Sequence, residues 1–312
     1  MISQSQMNEW VHKAVERFQA VIPPIDALYP DYRIVTDGTD DAIRQTLLEK
    51  TGSQAFICTD VAPMETLHGP RGNAILVYQE LFNALLSGDD GEEMFKHFYW
   101  HELGRFYSLV NSEAADPALF RFSDQKPHPD EFEALLGYAF WNEFIAEVIA
   151  CKVDPDPVID WENFDWRTTH DVLMNHLNDA FNVTALGWYD LAFYFAKVLA
   201  DKTTVQFIKK ARNGTLKIYN HFHESITFQE MDIDPTLLFC LSPQLQPIVK
   251  RLQKKLTALL RRDKYWEITL DDLNSIGGFL YSLERSKAMN DSLVRLRNVN
   301  LTPHPDFFGE EV

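Results

Sequence analysis

Apolar residues at Met7, Trp10, Val11, Val15 and Phe18 recur at the spacing of a helix that buries one face, and Pro23-Pro24 ends it. Two runs rich in β-branched and aromatic residues, 32–36 and 55–58, read as strands. They flank a helical segment over 40–50, which Thr39 or Asp40 caps and Gly52 terminates. After the turn-rich stretch 68–72, residues 74–78 read as a third strand. A helix follows from about 92 to 110, then a loop rich in Asp, Pro and Ser over 111–129. A second helix is predicted from about 130 to 152, with Phe132, Leu135, Leu136, Ala139, Phe140, Phe144 and Ile145 on its apolar side.

The run Asp154-Pro155-Asp156-Pro157 stops that helix and marks a domain boundary. Beyond it, 168–181, 188–201, 207–224, 243–264 and 270–289 show helical periodicity without strand alternation. The pattern therefore predicts an α+β fold: residues 1–152 with a small mixed sheet and a prominent helix, then 153–312 as a mainly α-helical part. The cleft between the two parts is the expected site.

Composition narrows the class. A chain of 312 residues, 46% hydrophobic and 13% aromatic, has ample material for a core. Its formal net charge of -17 repels phosphate backbones and anionic lipid, so neither nucleic acid nor membrane is an expected partner. The basic run Lys250, Arg251, Lys254, Lys255, Arg261, Arg262, Lys264 reads as a solvated helix face. Cys58, Cys151 and Cys240 are scattered and lack CxxC spacing, which argues against a disulfide framework and a thiolate zinc site. The N-terminus lacks a basic and apolar leader, and no apolar run approaches the ~18 residues that span a bilayer. A cytoplasmic location is the resulting expectation.

The chemistry concentrates in the first predicted long helix. His97, His101 and Arg105 fall at i, i+4 and i+8 and so line one face, with Glu102 beside the second histidine. In a HExxH helix two histidines one turn apart reach a single zinc, and the glutamate beside the first is general base toward metal-bound water. Here His101-Glu102 is present and Arg105 stands at the second histidine position. The next helix carries Asn142-Glu143-Phe144-Ile145-Ala146-Glu147.

The order of strand, helix with His101-Glu102, loop, and helix with NExxAE resembles the gluzincin branch of the zincin metallopeptidases, over roughly residues 70–150. The resemblance implies zinc as cofactor, His101 as first ligand, Glu102 as general base and Glu143 as third ligand. It implies that Glu147 orients a ligating histidine. It also implies that residues 72–78 are the edge strand lining the cleft, where a peptide adds as an extended strand. An active member would hydrolyse peptide bonds with metal-polarised water, and an inactive one would bind a peptide or protein partner there.

The residues themselves leave three arrangements open. In one, His97 replaces the missing ligand and His97, His101 and Glu143 hold the metal, which shifts Glu102 relative to bound water. In the second, the Arg105 guanidinium occupies the zinc position and forms bidentate bonds to Glu143 or Glu102. In the third, the histidines are ordinary packed residues and Glu143 lies at the surface, leaving a helical interaction protein. Other motifs carry less: His221 and His223 diverge, His170 and His176 do not align on a helix, and Cys151 reads as a buried thiol without a base. No phosphate-binding glycine loop and no GxSxG elbow is present.

Overall fold

The computed structural model describes residues 2–24, 29–35, 40–52, 63–85, 91–119, 122, 131–154, 196, 199–200, 218–219, 225–226 and 246–284. The chain divides into two compact units, and the division is not a single cut. One unit comprises residues 1–129, 142–158 and 264–270; the other comprises 130–141, 159–263 and 271–312.

The first unit opens with α1 (Gln4–Val21). Ser3 caps it in a reciprocal capping box with Gln6, and Met7, Trp10, Val11, Ala14 and Phe18 form its buried stripe. Three strands follow: β1 (Asp31–Val35), β2 (Met64–Gly69) and β3 (Gly72–Tyr78), with α2 (Asp40–Thr51) between the first two. Their order is β1-β3-β2, with β1 parallel and β2 antiparallel to β3. Val35, Leu47, Leu67, Ala74 and Leu76 pack the sheet against α2, and Arg44 of α2 grips Glu65 of β2 with two bonds of 2.9 and 2.7 Å. Gly52 ends α2 at φ 71°, a left-handed conformation that suits a residue without Cβ.

Two expectations change here. The stretch around His68 is the end of a strand, and the turn is confined to Pro70-Arg71 between the paired Gly69 and Gly72. Its residues Thr66 and His68 bond to polar partners, so the simple apolar alternation that betrays a half-buried strand is broken. Residues 72–78 are also not an edge. β3 is paired on both sides and Ala74, Ile75, Leu76 and Val77 are buried, so its continuous apolar run reflects a central strand. Among the described residues the outer strands are β1 and β2. The strand expected at 55–58 lies outside the described residues.

After α3 (Gln79–Leu85) comes α4 (Gly91–Ala115), which carries the histidines. It runs five residues beyond the expected end at 110, into the stretch read as loop, before a 3-10 turn at Pro117–Leu119. Ser112, a poor helix interior residue, is held there by hydrogen bonds linking it to Trp266 and Ile268. Trp100 donates to the Ala14 carbonyl at 2.9 Å, fixing α4 on α1.

Helix α5 (Phe132–Val153) contributes its second half to this unit and its first to the other. It is long and apolar enough to cross a membrane, yet 89% of that window is buried inside the fold, as in a core helix. In the second unit, Ile218–Tyr219 and Ser225–Ile226 form a short antiparallel pair, β4 and β5, where only helix was expected. Helices α6 (Gln246–Leu260) and α7 (Leu270–Glu284) match the periodicity read from the sequence. The helices expected over 168–181 and most of 188–201 and 207–224 lie outside the described residues.

Candidate functional site

The site forms where α4 meets the second half of α5. Gly104 makes this approach feasible: a Cβ there would lie 2.9 Å from the Ala146 carbonyl oxygen and 3.0 Å from Ile149 Cβ, both on α5. With the helices this close, the polar face of α4 meets two carboxylates one turn apart. The pairing runs in opposite order along the two helices, His97 and His101 with Glu147, then His101 and Arg105 with Glu143. The two stretches are therefore antiparallel.

Glu147 is buried and takes one histidine on each oxygen. His97 Nε2 lies 3.1 Å from Oε1 and His101 Nδ1 lies 3.0 Å from Oε2. The Cys151 thiol also approaches Oε1, at 3.5 Å. Burial alone would favour the neutral acid, but the bonds from His101 and His97 outweigh it and hold Glu147 well below the usual carboxylate range.

His101 is buried as well. Burial works against a charged ring, but Glu143 and Glu147 overcome it and push His101 up to about 9. At neutral pH the ring is thus a cation that donates from Nδ1 to Glu147 and presents Nε2 to Glu143 Oε1 at 3.3 Å.

Arg105 completes the cluster. Its Nη1 lies 3.1 and 2.9 Å from the two oxygens of Glu102, and its Nη2 donates to Glu143 Oε2. The same Nη2 is 3.2 Å from His101 Nε2. Glu102 is buried and also accepts from the Thr66 hydroxyl of β2. Three carboxylates thus face the Arg105 and His101 cations, with the guanidinium spanning Glu102 and Glu143.

The second arrangement read from the sequence, a guanidinium engaged with Glu143 and Glu102, is the one the side chains adopt. The packed-residue arrangement is contradicted by Glu143, which lies in the cluster. The trio of His97, His101 and Glu143 does not converge on one point either: the carboxylate shared by both histidines is Glu147, and His97 bonds to it rather than facing Glu143. Among the described residues no group of three or more His, Cys, Asp or Glu side chains is arranged to hold a metal ion. With a fixed positive charge beside His101 Nε2 and Glu143, the donor set in this arrangement does not fit zinc, because a guanidinium cannot coordinate and repels a divalent ion.

Glu147 is bonded to the ring nitrogen of His101 that faces away from Glu143. Sequence reasoning missed Thr66, whose strand was not recognised, and Gly104, whose small size between Leu103 and Arg105 was the available signal for a close helix crossing. Comparison with protein-family models, curated proteins and solved structures finds no match to this chain.

Proposed function

We propose that this chain is a zincin-like protein that has exchanged a metal cation for the Arg105 guanidinium, does not hydrolyse peptide bonds, and acts by binding a peptide or protein partner. The supporting observation is the seating of Arg105 on both Glu102 and Glu143. A zincin site needs a cation between a histidine and a glutamate, and a glutamate free to take a proton from water. Arg105 supplies a fixed charge at the first place and engages the second, while Thr66 holds the other side of Glu102. The cluster then ties α4, α5 and β2 into a rigid platform.

Calorimetric zinc titration of protein prepared without a histidine tag tests this directly, paired with a peptide-hydrolysis assay. Wild type is expected to bind zinc weakly or not at all. Arg105→His adds the missing imidazole to His101 and Glu143 and is expected to raise zinc affinity at least ~100-fold. Near-stoichiometric zinc binding by wild type, abolished by His97→Ala without loss of helicity, would overturn the proposal and support a metal-dependent peptidase.

A further inference from the structure

A groove of about 510 Å³ lies in the first unit and involves none of the cluster residues. Its lining includes five consecutive residues, 30–34. Successive side chains of a strand point to opposite faces, so a groove lying on one face would be lined by every second residue. Lining by an unbroken run means that the groove follows the edge of β1. Gln4, Asn8 and Val15 of α1 contribute the facing wall, and Tyr99 of α4 also lines it.

The edge itself is uncovered by the described residues. Among the described residues β1 pairs only with β3, in parallel register from Asp31 with Ala74 to Val35 with Tyr78. In such a pair alternate residues direct both N–H and C=O away from the partner strand. Apart from the bond of 2.9 Å that Arg33 Nη1 donates to the Tyr32 carbonyl, these outward backbone groups meet no partner among the described residues. Sheets usually blunt such an edge with a proline, a bulge or an inward charge. β1 has no proline, and its charged side chains engage other groups: Asp31 lies 3.1 Å from Lys50 and 4.0 Å from Arg33. Tyr32 donates its hydroxyl to Asn8 at 2.9 Å, tying the strand to α1.

We propose that β1 is a docking strand, and that a cationic, extended segment of a partner protein adds to its outer edge within this groove. Unpaired amides and carbonyls in a row select an extended backbone. The net charge of -17 selects its sign, because an acidic segment would be repelled during approach whereas a lysine-bearing one would be steered in. A strand of five residues spans roughly 16 Å at a rise of about 3.3 Å per residue, enough to present two or three outward residues for pairing. The class of partner rests on the binding role proposed above; the place rests on the groove.

The test uses the full chain and a fluorescent octapeptide of alternating valine and lysine, with two companions: one N-methylated at every second amide, one with glutamate in place of lysine. Binding is followed by anisotropy, and backbone protection by amide hydrogen exchange. The parent peptide is expected to bind saturably, to slow exchange at outward amides of β1, and to lose at least ~10-fold in affinity on N-methylation or on charge reversal. Equal binding of the N-methylated peptide overturns the pairing. Protection along β2 instead of β1 overturns the place while leaving the binding role standing, and no binding by any peptide counts against both. Protection of β1 that rises with protein concentration in the absence of peptide would make the occupant a second copy of this chain, overturning the proposed partner.

Discussion

Two buried ion clusters, one in each unit, are built from similar parts to different ends. In the second unit Asp272, in the first turn of α7, accepts from Lys255 at 2.7 Å and from Arg262 at 2.7 and 3.1 Å. One carboxylate meets two cations, it sits where a helix dipole favours negative charge, and the cations reach toward solvent, with side-chain exposures of 29% and 44%. Nothing in that arrangement exceeds what is needed to fix a helix start. The first unit's cluster gathers three carboxylates, two imidazoles and a guanidinium, with Glu102, Glu147 and His101 all buried. Such a dense set is a poor way to gain stability, because desolvation consumes much of the Coulomb attraction. Its composition is what the zincin-like reading proposed above would leave, with arginine at one ligand position.

The comparison is broken or kept first by removing the cation. Arg105→Ala leaves Glu102 and Glu143 facing one another beside His101, and is expected to destabilise by about 3 kcal/mol. Denaturant unfolding measures it. A change below about 1 kcal/mol would mean that the carboxylates find water as easily as the Asp272 cluster would, and the contrast between the two clusters would vanish.

The pH dependence sharpens the same contrast. His101 is raised from 6.5 to about 9 in the folded chain, so the stability it contributes is fully present below pH 6.5 and lost as pH rises through 9. With each pH unit worth about 1.4 kcal/mol, the loss comes to roughly 3–4 kcal/mol. Glu147 is shifted the other way, so its contribution is present above pH 4.5 and lost as pH falls through its depressed value. Between these limits the cluster is most stabilising. His68, buried beside Glu113 at 2.6 Å and Asn73, is also raised, although burial opposes it, and adds an alkaline loss of the same sign. Unfolding measured from pH 6 to 9.5 in wild type, His101→Gln and His68→Gln separates the two. An unchanged slope in His101→Gln would show that His101 is not the cation assigned here.

Much of this arrangement was legible in the sequence because helices carry their contacts at fixed spacing. The stripe His97, His101, Arg105 and the pair Glu143, Glu147 each fall on one helix face, so opposing them requires only that the helices touch. The sheet was less legible. β2 breaks apolar alternation with Thr66 and His68, which face polar partners, and β3 hides its central position because a short apolar run does not tell which neighbours it has. Nor did spacing reveal that Glu147, rather than Glu143, would take both histidines: that depends on the relative stagger of the two helices, which Gly104 and its contact with Ala146 help to set.

Stagger is therefore testable at Gly104. Gly104→Ala places a methyl at 2.9 Å from a backbone oxygen that cannot rotate away, so α4 and α5 must separate by a few tenths of an ångström. Overpacking of this kind costs about 1–3 kcal/mol. If the cluster depends on close helix contact, the variant should also lower the midpoint of the His101 titration, read by NMR of the ring protons. Loss of stability with an unmoved midpoint would separate the packing from the electrostatics.

The smallest effect is expected at the other cluster. Asp272→Asn removes one charge and leaves Lys255 and Arg262, whose partly exposed ends can turn into water, so no buried charge is stranded. The loss should be about 1 kcal/mol, combining the broken pair with the weaker interaction at the α7 N-terminus, and it should shrink as salt is added. Arg105→Ala, by contrast, strands carboxylates that are only 7% and 14% exposed and should respond little to salt. Measuring both variants in low and high salt sets the two clusters on one scale. If Asp272→Asn costs as much as Arg105→Ala and is equally insensitive to salt, the first cluster is an ordinary structural ion pair network, and its resemblance to a catalytic centre loses its physical support.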